Sequence, residues 1–483
     1  MWRHLIALVA GTALMVSGGS VARAEMPMGG GGLPAPGAGV LARPVTGTPH
    51  FSVRDSNPIE QVRQLVQCGE TMYAVGSFSR IVHRGAIRTR HNVFSFSAAS
   101  PFKLTKWRPK INGEVNSIAF VGGNCSHAYI GGSFTSVNGT HVKNLAEINT
   151  RTGAVVKGFE HHASASVETL TAVGDRILAG GYYTRINGSS DNPYMTGLNP
   201  TTGRDDGFVH LNISGHYQYP RVSVNGTKIY NQALSHNGER DLVMGDFTSV
   251  GGVKRQQIFM LYLGGSHAEV TGWTSRAFAG HCSLVEPFYV RAASWSPGDS
   301  RIYIATTGRR AHGQPSDRYP LKGLCDAAAA FPATQTTVKP LWINYTGCDS
   351  LYSTAADAST AYFGGHERWS MNTYGCNFPG PGAYNAVGME GLSPLSGQLY
   401  LNKSNSAGYY ERSRGIGADD MLLTSAGLWI ASDNEGNSQT CGFVPKLSGI
   451  CFLPYGHRPS RVDAPLAGVH EISRGLRKDR DRK

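Results

Sequence analysis

Two acidic side chains of this chain are suited to acid–base chemistry on a sugar. Asp246 follows Val243-Met244-Gly245, and His366-Glu367 follows Tyr362-Phe-Gly-Gly, so each carboxylate comes just after an apolar run that ends in glycine. A pair of carboxylates flanking one glycosidic bond is what a glycosidase needs. If the protein is an enzyme, Asp246, Glu367 and His366 are its candidate catalytic residues.

Basic segments follow the same apolar runs and are suited to binding an anion. The arginine fork binds carboxylate or phosphate through two hydrogen bonds, and a tryptophan can stack on a sugar. The candidate ligand-binding residues are Arg80, Arg185, Arg255, Arg309, Arg310, Arg368 and Trp369. The alternative for the last cluster is structural, with Glu367 and Arg368 paired with each other or with neighbouring units, and Trp369 packed between units.

Metal and cofactor motifs are scarce in this sequence. The run Asp433-Asn-Glu435-Gly-Asn loosely resembles a calcium loop, but it lacks the later bidentate glutamate and also fits a plain turn. No Cys-x-x-Cys or His-x-x-x-His spacing supports zinc, and no nucleophile elbow or phosphate loop is present. We therefore predict no cofactor, with calcium at Asp433 and Glu435 as the alternative.

A repeated unit must position these side chains. A short apolar run ending in a small residue recurs seven times, at intervals of 49 to 67 residues. Its last positions are Gly76, Gly132, Gly181, Gly245, Thr306, Gly365 and Ser432. A unit repeated at such an interval indicates a ring or a solenoid.

The second copy shows how one unit is built. Apolar runs over residues 115–120, 127–131, 145–149 and from 154 are separated by Gly/Asn turns, which predicts four antiparallel strands. Such units, with almost no helical periodicity, predict an all-β chain with a single β-propeller of seven four-stranded blades, six blades being the alternative. We expect the second strand to lie near the axis, with the following loops around an axial mouth and the aromatic after the glycines packed as core.

The repeat resembles a known family. Gly131-Gly-Ser-Phe-Thr-Ser-Val-Asn-Gly139, Gly180-Gly-Tyr-Tyr-Thr-Arg-Ile-Asn-Gly188 and Gly364-Gly-His-Glu-Arg-Trp369 are similar to the delta-60 propeller repeats of exported actinobacterial proteins. The resemblance covers about residues 55–455 and implies the propeller fold. It implies no particular activity.

The ends of the chain read as targeting and linker segments. Arg3 and His4, an apolar run to Val16 and Ala22-Arg-Ala24 predict a signal peptide over residues 1–24. We expect a flexible Gly/Pro-rich linker over 25–50, the propeller over 51–458 and a basic disordered tail over 459–483. These features predict a secreted, extracellular monomer without a membrane span.

Export makes disulfides the default state of the eight cysteines, although eight thiols allow 105 pairings. Cys441 and Cys451 flank a hairpin, and Cys68 and Cys125 occupy matching turns of consecutive repeats. The other two pairs follow by elimination. The predicted disulfides are Cys68–Cys125, Cys282–Cys325, Cys348–Cys376 and Cys441–Cys451.

Three functions fit this pattern. The leading hypothesis is binding of an anionic polymer, a polysaccharide or another cell-surface component through the basic loop face, because single-sign charge attracts an opposite polymer and the net charge is +12. The second is a polysaccharide hydrolase or lyase with carboxylates at the mouth. The third is a scaffold for protein partners, and whether the protein is an enzyme stays open.

Overall fold

The structure, a computed structural model, describes residues 39–52, 59–217, 226–280, 282, 289–308, 323–400, 417–434 and 448–456. These residues are all-β apart from one 3₁₀ turn, Arg276–Phe278. Within these ranges there is no helix with the length and apolarity needed to cross a membrane. The predicted signal peptide and basic tail fall outside them.

The strands follow one another as short antiparallel runs. In the first part of the chain they are β1 (Gln61–Cys68), β2 (Thr71–Ser77), β3 (Arg80–His83), β4 (Ala86–Thr89), β5 (Val93–Ser97), β6 (Glu114–Ala119), β7 (His127–Ser133), β8 (Ser136–Val137), β9 (Thr140–His141), β10 (Leu145–Asn149), β11 (Val167–Val173), β12 (Arg176–Gly181) and β13 (Met195–Leu198). In the second part they are β14 (Ile213–Ser214), β15 (Lys228–Leu234), β16 (Arg240–Asp246), β17 (Ser249–Val250), β18 (Val253–Lys254), β19 (Ile258–Tyr262), β20 (Glu269–Val270), β21 (Val290–Trp295), β22 (Arg301–Thr306), β23 (Ala327–Pro332), β24 (Trp342–Tyr345), β25 (Leu351–Ala356), β26 (Ala361–Gly365), β27 (Trp369–Ser370), β28 (Tyr384–Asn385), β29 (Met389–Leu392), β30 (Asp420–Thr424), β31 (Gly427–Ala431) and β32 (Ile450–Pro454).

The long strands form antiparallel sheets in which consecutive strands are neighbours. In the described residues these sheets are β1-β2-β5, β6-β7-β10, β11-β12-β13, β15-β16-β19-β20, β21-β22-β23-β24, β25-β26-β29 and β30-β31-β32. In each of the five three-stranded sheets of this set, an isolated β-bridge adds a fourth segment. In sheet order, the bridging residues of these segments are Leu104, Val155, Asp205, Leu399 and Val40. The predicted four-strand unit is therefore the unit that the chain forms.

The first strands of the sheets meet at a common centre. Each of them contacts the first strand of the next sheet, and β30 of the last sheet contacts β1 of the first. Sheets placed radially around shared inner strands are the arrangement of a β-propeller. The first strand is therefore innermost, and the second strand, which we expected near the axis, is the next one outward.

The segment before the first sheet completes the last one. Leu41 N donates to Pro454 O at 2.7 Å, Val45 N donates to Phe452 O at 3.0 Å, and Val40 is fully buried. The predicted linker over 25–50 therefore overlaps residues of the fold, and the expected propeller start at residue 51 is too late. Apolar side chains at these positions pack against the outer edge of the last sheet, which the Gly/Pro-rich composition of the segment concealed.

The paired glycines of the repeat have two different neighbours. A Cβ on Gly131 would lie 2.6 Å from Cγ1 of Val167 in the next sheet. A Cβ on Gly132 would collide with the carbonyl oxygen of Glu114, on the first strand of its own sheet. That first strand carries a bulge between Val115 and Ser117, which brings its backbone close to β7. The glycines therefore pack the second strand against two first strands.

The two copies without glycine also form sheets. Thr306 pairs with Val290 and Ser432 lies beside the start of β30, and both are fully buried. Thr306 Oγ1 donates to Ala327 O at 3.1 Å, and Ser432 Oγ donates to Gly417 O at 3.3 Å. Small hydroxyl residues can thus replace the glycine when a backbone carbonyl accepts their proton.

Core side chains and disulfides tie the sheets together. Phe78, Phe134, Tyr183 and Phe247, each two positions after a glycine, are buried as predicted, whereas Tyr182, directly after Gly181, is 40% exposed. Three predicted disulfides are confirmed, namely Cys68–Cys125, Cys282–Cys325 and Cys348–Cys376. The fourth predicted pair includes Cys441, which lies outside the described residues.

Substituting Gly132 with alanine tests the close approach of the two inner strands. Because the added Cβ would also lie 2.9 Å from Cα of Val115, the backbone must shift, and we expect a loss of about 2 kcal/mol or more in the free energy of unfolding. Gly298→Ala is the matched control, since its Cβ would meet nothing within 4 Å and should change stability by less than about 0.5 kcal/mol. Equal denaturation midpoints for the two variants would contradict the packing described here.

Candidate functional site

The bulges of the inner strands supply the side chains at the centre of the molecule. In six sheets the register skips one residue of the first strand, and Asp419 occupies the matching position before β30. These bulge residues, all partly exposed, are Arg63, Asn116, Glu168, Tyr230, Arg291, Tyr352 and Asp419. A bulge leaves one residue outside the ladder and redirects its side chain. We call this set the axial ring.

Members of the axial ring contact one another across sheet boundaries. Arg63 lies 2.7 Å from Glu114 Oε1 through Nε and 3.3 Å from Asp419 Oδ2 through Nη1, so it joins the second and last sheets. Asn116 Nδ2 donates to Glu168 Oε2 at 3.1 Å. The Arg291 guanidinium lies 6.0 Å from the centre of the Tyr230 ring. Ion pairs, a hydrogen bond and a cation–π contact therefore hold the side chains of the axial ring in place.

Burial dominates the electrostatics of this centre. It raises the pKa of Glu168 and of Asp419, the latter against the opposing effect of Arg63. It lowers the pKa of Lys228, whose ammonium lies 4.9 Å from the centre of the Tyr182 ring. Cations and carboxylates thus share the mouth, whereas we expected a mouth surrounded by basic loops.

The two candidate catalytic carboxylates are buried, and they belong to different sheets. Asp246 ends β16 and is fully buried; its Oδ1 accepts from Tyr217 N at 2.8 Å, and burial raises its pKa. Glu367 is also fully buried, while His366 is partly exposed and donates its backbone N–H to Ser350 O at 2.9 Å. The two carboxylates belong to the fourth and sixth sheets, which are not neighbours.

Arg368 has a structural partner. Its Nε and Nη2 donate to the two carboxylate oxygens of Asp349 at 2.7 and 2.6 Å, and Asp349 is 3% exposed at its side chain. Hydrogen bonding to Asp349 raises the pKa of Arg368. Trp369 is partly buried in β27, where it pairs with Asn385. The partner of Arg368 is thus Asp349, in the segment that joins the fifth and sixth sheets.

The other predicted ligand residues have different environments. Arg255 is 9% exposed, and its two terminal nitrogens donate to the carbonyl oxygens of Lys254 and Thr271 at 3.0 and 2.8 Å. Arg80 is partly exposed on β3, and Arg185 is exposed. Arg309 and Arg310 lie outside the described residues, as does Glu435 of the candidate calcium loop, whose Asp433 is buried.

A groove on the first sheet gathers basic side chains from two segments. One wall is the β3–β4 hairpin, and the other is the chain that follows β5, which bridges β5 at Leu104 on the edge farthest from the axis. The groove has a volume of about 500 Å³. Its lining residues are His83, Arg84, Arg88, Arg90, Lys103, Leu104, Thr105, Lys106 and Arg108. We call this site the basic groove.

The basic groove has charges of one sign. Its lining includes six Lys or Arg residues and no Asp or Glu. Arg84, Arg88, Lys103, Lys106 and Arg108 are exposed. Burial lowers the pKa of Arg90, and the nearby Arg108 and Arg88 lower it further. The groove is therefore a region of unrelieved positive potential, which an anion would stabilise.

Sequence reasoning recognised one wall of this groove and missed the other. The sequence predicts a ligand-binding role for Arg80 in the basic loop after β2. In the structure, Arg84 and Arg88 of that loop line the groove and Arg80 does not. Lys103, Lys106 and Arg108 follow the third strand of the unit and were not considered. The short spacing of three basic residues in Lys103-Leu-Thr-Lys106-Trp-Arg108 is the sequence feature that could have indicated this wall.

Alanine at Arg368 tests whether that residue acts in structure. Removing the guanidinium leaves Asp349 buried without its ion pair, so we expect a loss of about 3 kcal/mol in the free energy of unfolding. Arg185→Ala is the control, because Arg185 is exposed, and its effect should stay within about 0.5 kcal/mol. Unchanged denaturant stability of Arg368→Ala would contradict the structural role.

Comparisons with known proteins give similarity in shape alone. No family model matches the chain, and no curated protein matches it. Among solved structures, the chain is similar to the WD40 β-propeller domain of Doa1, with 10% identity, a TM-score of 0.40, and coverage of 84% of this chain and 97% of that chain. It is also similar to hydrazine synthase of Kuenenia stuttgartiensis, with 11% identity, a TM-score of 0.38, and coverage of 64% and 75%.

Proposed function

We propose that this protein is an exported seven-bladed β-propeller that binds an anionic extracellular ligand, with the basic groove as its binding site. The seven sheets of the described residues, whose inner strands make contact all the way round, support the blade count. The predicted signal peptide and three disulfides support export, because disulfides persist in oxidising compartments.

The observation that carries this proposal is that all the Lys, Arg, Asp and Glu side chains lining the basic groove are positively charged. Six cations line one concave surface without a carboxylate among them. At Arg63 and Arg368, by contrast, the structure supplies a carboxylate partner within 3 Å. Cations left without carboxylates repel one another, and a polyanion relieves that repulsion while releasing its own counterions.

The hydrolase alternative draws less support from the structure. It requires solvent-accessible carboxylates that approach one substrate, and both Asp246 and Glu367 are fully buried on non-adjacent sheets. The scaffold alternative has no comparable charged surface to carry it. Binding at the basic groove therefore explains more of the structure than either.

Charge reversal across the groove tests the proposed function. Labelled dextran sulfate, inorganic polyphosphate and polygalacturonate should be offered to the full mature chain at several salt concentrations. We expect binding of at least one polymer to weaken steeply with salt, and Arg88→Glu/Arg108→Glu to lower affinity by about tenfold or more. The two residues are exposed and lie on opposite walls.

Lys254→Glu/Lys339→Glu is the matched control, since it makes the same change of net charge at exposed residues of the fourth and fifth repeats. Its affinity should stay within about threefold of the natural protein, because exposed charges beyond a Debye length are screened. Equal losses in the two double variants, or failure of all three polymers to bind, would refute binding at the groove.

A further inference from the structure

The floor of the basic groove contains two buried polar side chains. His83 and Arg90 are 7% and 6% exposed, unlike the exposed cations of the walls. His83 Nε2 and Arg90 Nε are both buried, and neither has a hydrogen-bond partner in the described structure. A buried polar atom left without a partner costs free energy, so a ligand that supplies the partner is favoured.

Both side chains are held in place by the surrounding backbone. His83 ends β3, next to the tight turn at Arg84 and Gly85, both of which have positive φ. The Phe102 backbone beside the ring raises the pKa of His83, against the lowering effect of burial. Arg90 N donates to Ser79 O at 3.0 Å, and Arg90 Nη1 donates to Thr89 O at 2.8 Å. The floor is therefore preorganised before any ligand binds.

The donors point to an oxyanion with more than two acceptor oxygens. A carboxylate has two oxygens in one plane, which one arginine fork can occupy fully. Here Arg90 and His83 lie at the floor, while Lys and Arg side chains stand on two walls. A tetrahedral group can accept from the floor and from both walls at once, and its additional oxygen atoms match the excess of donors better.

Binding of an anion at this floor would also change the protonation of His83. Burial lowers the pKa of His83, and the nearby charge of Arg84 lowers it further. The Phe102 backbone raises this pKa, whereas His50 and Arg88 lower it. His50 lies near His83 because its segment forms a β-bridge with Val82. Burial lowers the pKa of His50 as well. In the empty groove His83 is therefore neutral at pH 7. A neutral imidazole has one N–H donor, and protonation of the ring adds a second.

We propose that the floor of the basic groove binds a tetrahedral oxyanion, the phosphate or sulfate ester of an acidic polymer, and that His83 takes up one proton as the anion binds. The proton goes to Nε2, which becomes a donor to the anion, and it comes from solvent. Affinity therefore rises as the pH falls through the range in which the bound imidazole titrates. This inference rests on the proposed function of the groove.

Calorimetry on the full mature chain tests the proposal. Dextran sulfate is the first probe, because sulfate esters do not titrate between pH 5.5 and 8, so any pH dependence belongs to the protein. At constant ionic strength we expect affinity at pH 5.5 to exceed that at pH 8 by about tenfold, which is roughly what one hydrogen bond between charged groups contributes. Titration in buffers of different ionisation enthalpy should show net proton uptake at about pH 6.5.

His83→Gln and His141→Gln separate the specific role of His83 from a general effect of histidine charge. His83→Gln should keep salt-dependent binding but lose the pH dependence and the proton uptake. His141→Gln, at an exposed histidine of the second repeat, should retain both. If His83→Gln fails to fold, the buffer-dependent proton uptake of the natural protein decides the question by itself.

The polymers distinguish the possible outcomes. Polyphosphate and dextran sulfate compare the two sources of a tetrahedral group, and tighter binding of either than of polygalacturonate at equal charge supports the proposal. Equal binding of polygalacturonate overturns the selectivity, and pH dependence that survives in His83→Gln overturns the proton uptake. Salt-dependent but pH-independent binding would leave the proposed function standing alone, whereas no binding of any polymer would remove both.

Discussion

The bulge found in six of the seven inner strands is the constraint on which the rest of this structure depends. It pushes the first strand toward the second, so that only glycine or a small hydroxyl residue fits opposite, as at Gly132 and Thr306. The same bulge frees one side chain per sheet to face the centre, as at Arg63. A single irregularity of the backbone thus explains both the repeated glycine and the polar axial ring.

The position of charge in the molecule follows from that geometry. Side chains at the centre are close to neighbours on two other sheets, and there the chain places opposite charges together, as in the Glu114–Arg63–Asp419 set. The outer edge of a sheet has fewer neighbours, and basic side chains there can gather without carboxylates. The basic groove lies at such an edge, which is why the anion site that we propose is peripheral rather than axial.

The sequence predicted the parts of this account that depend on local pattern. Alternation and turns gave the four-strand unit, and matching turns placed Cys68 beside Cys125. The innermost strand, the bulge residues and the partner of Arg368 depend on register and on contacts between sheets. A repeat of small residues indicates that two backbones approach closely, but it does not say which strands they belong to. The second wall of the groove was missed for the same reason, since Lys103 and Arg108 meet Arg88 only after the unit folds.

The central claim, that the anion binds at the edge of the first sheet and not at the axis, is tested most directly by mapping the footprint of a bound polymer. Hydrogen–deuterium exchange of the full mature chain should be measured with and without saturating dextran sulfate. We expect slower exchange in residues 80–91 and 102–108, with little change in 61–64, 114–117 and 166–169 around the axial ring. Protection of those axial segments without protection of the groove would contradict the account.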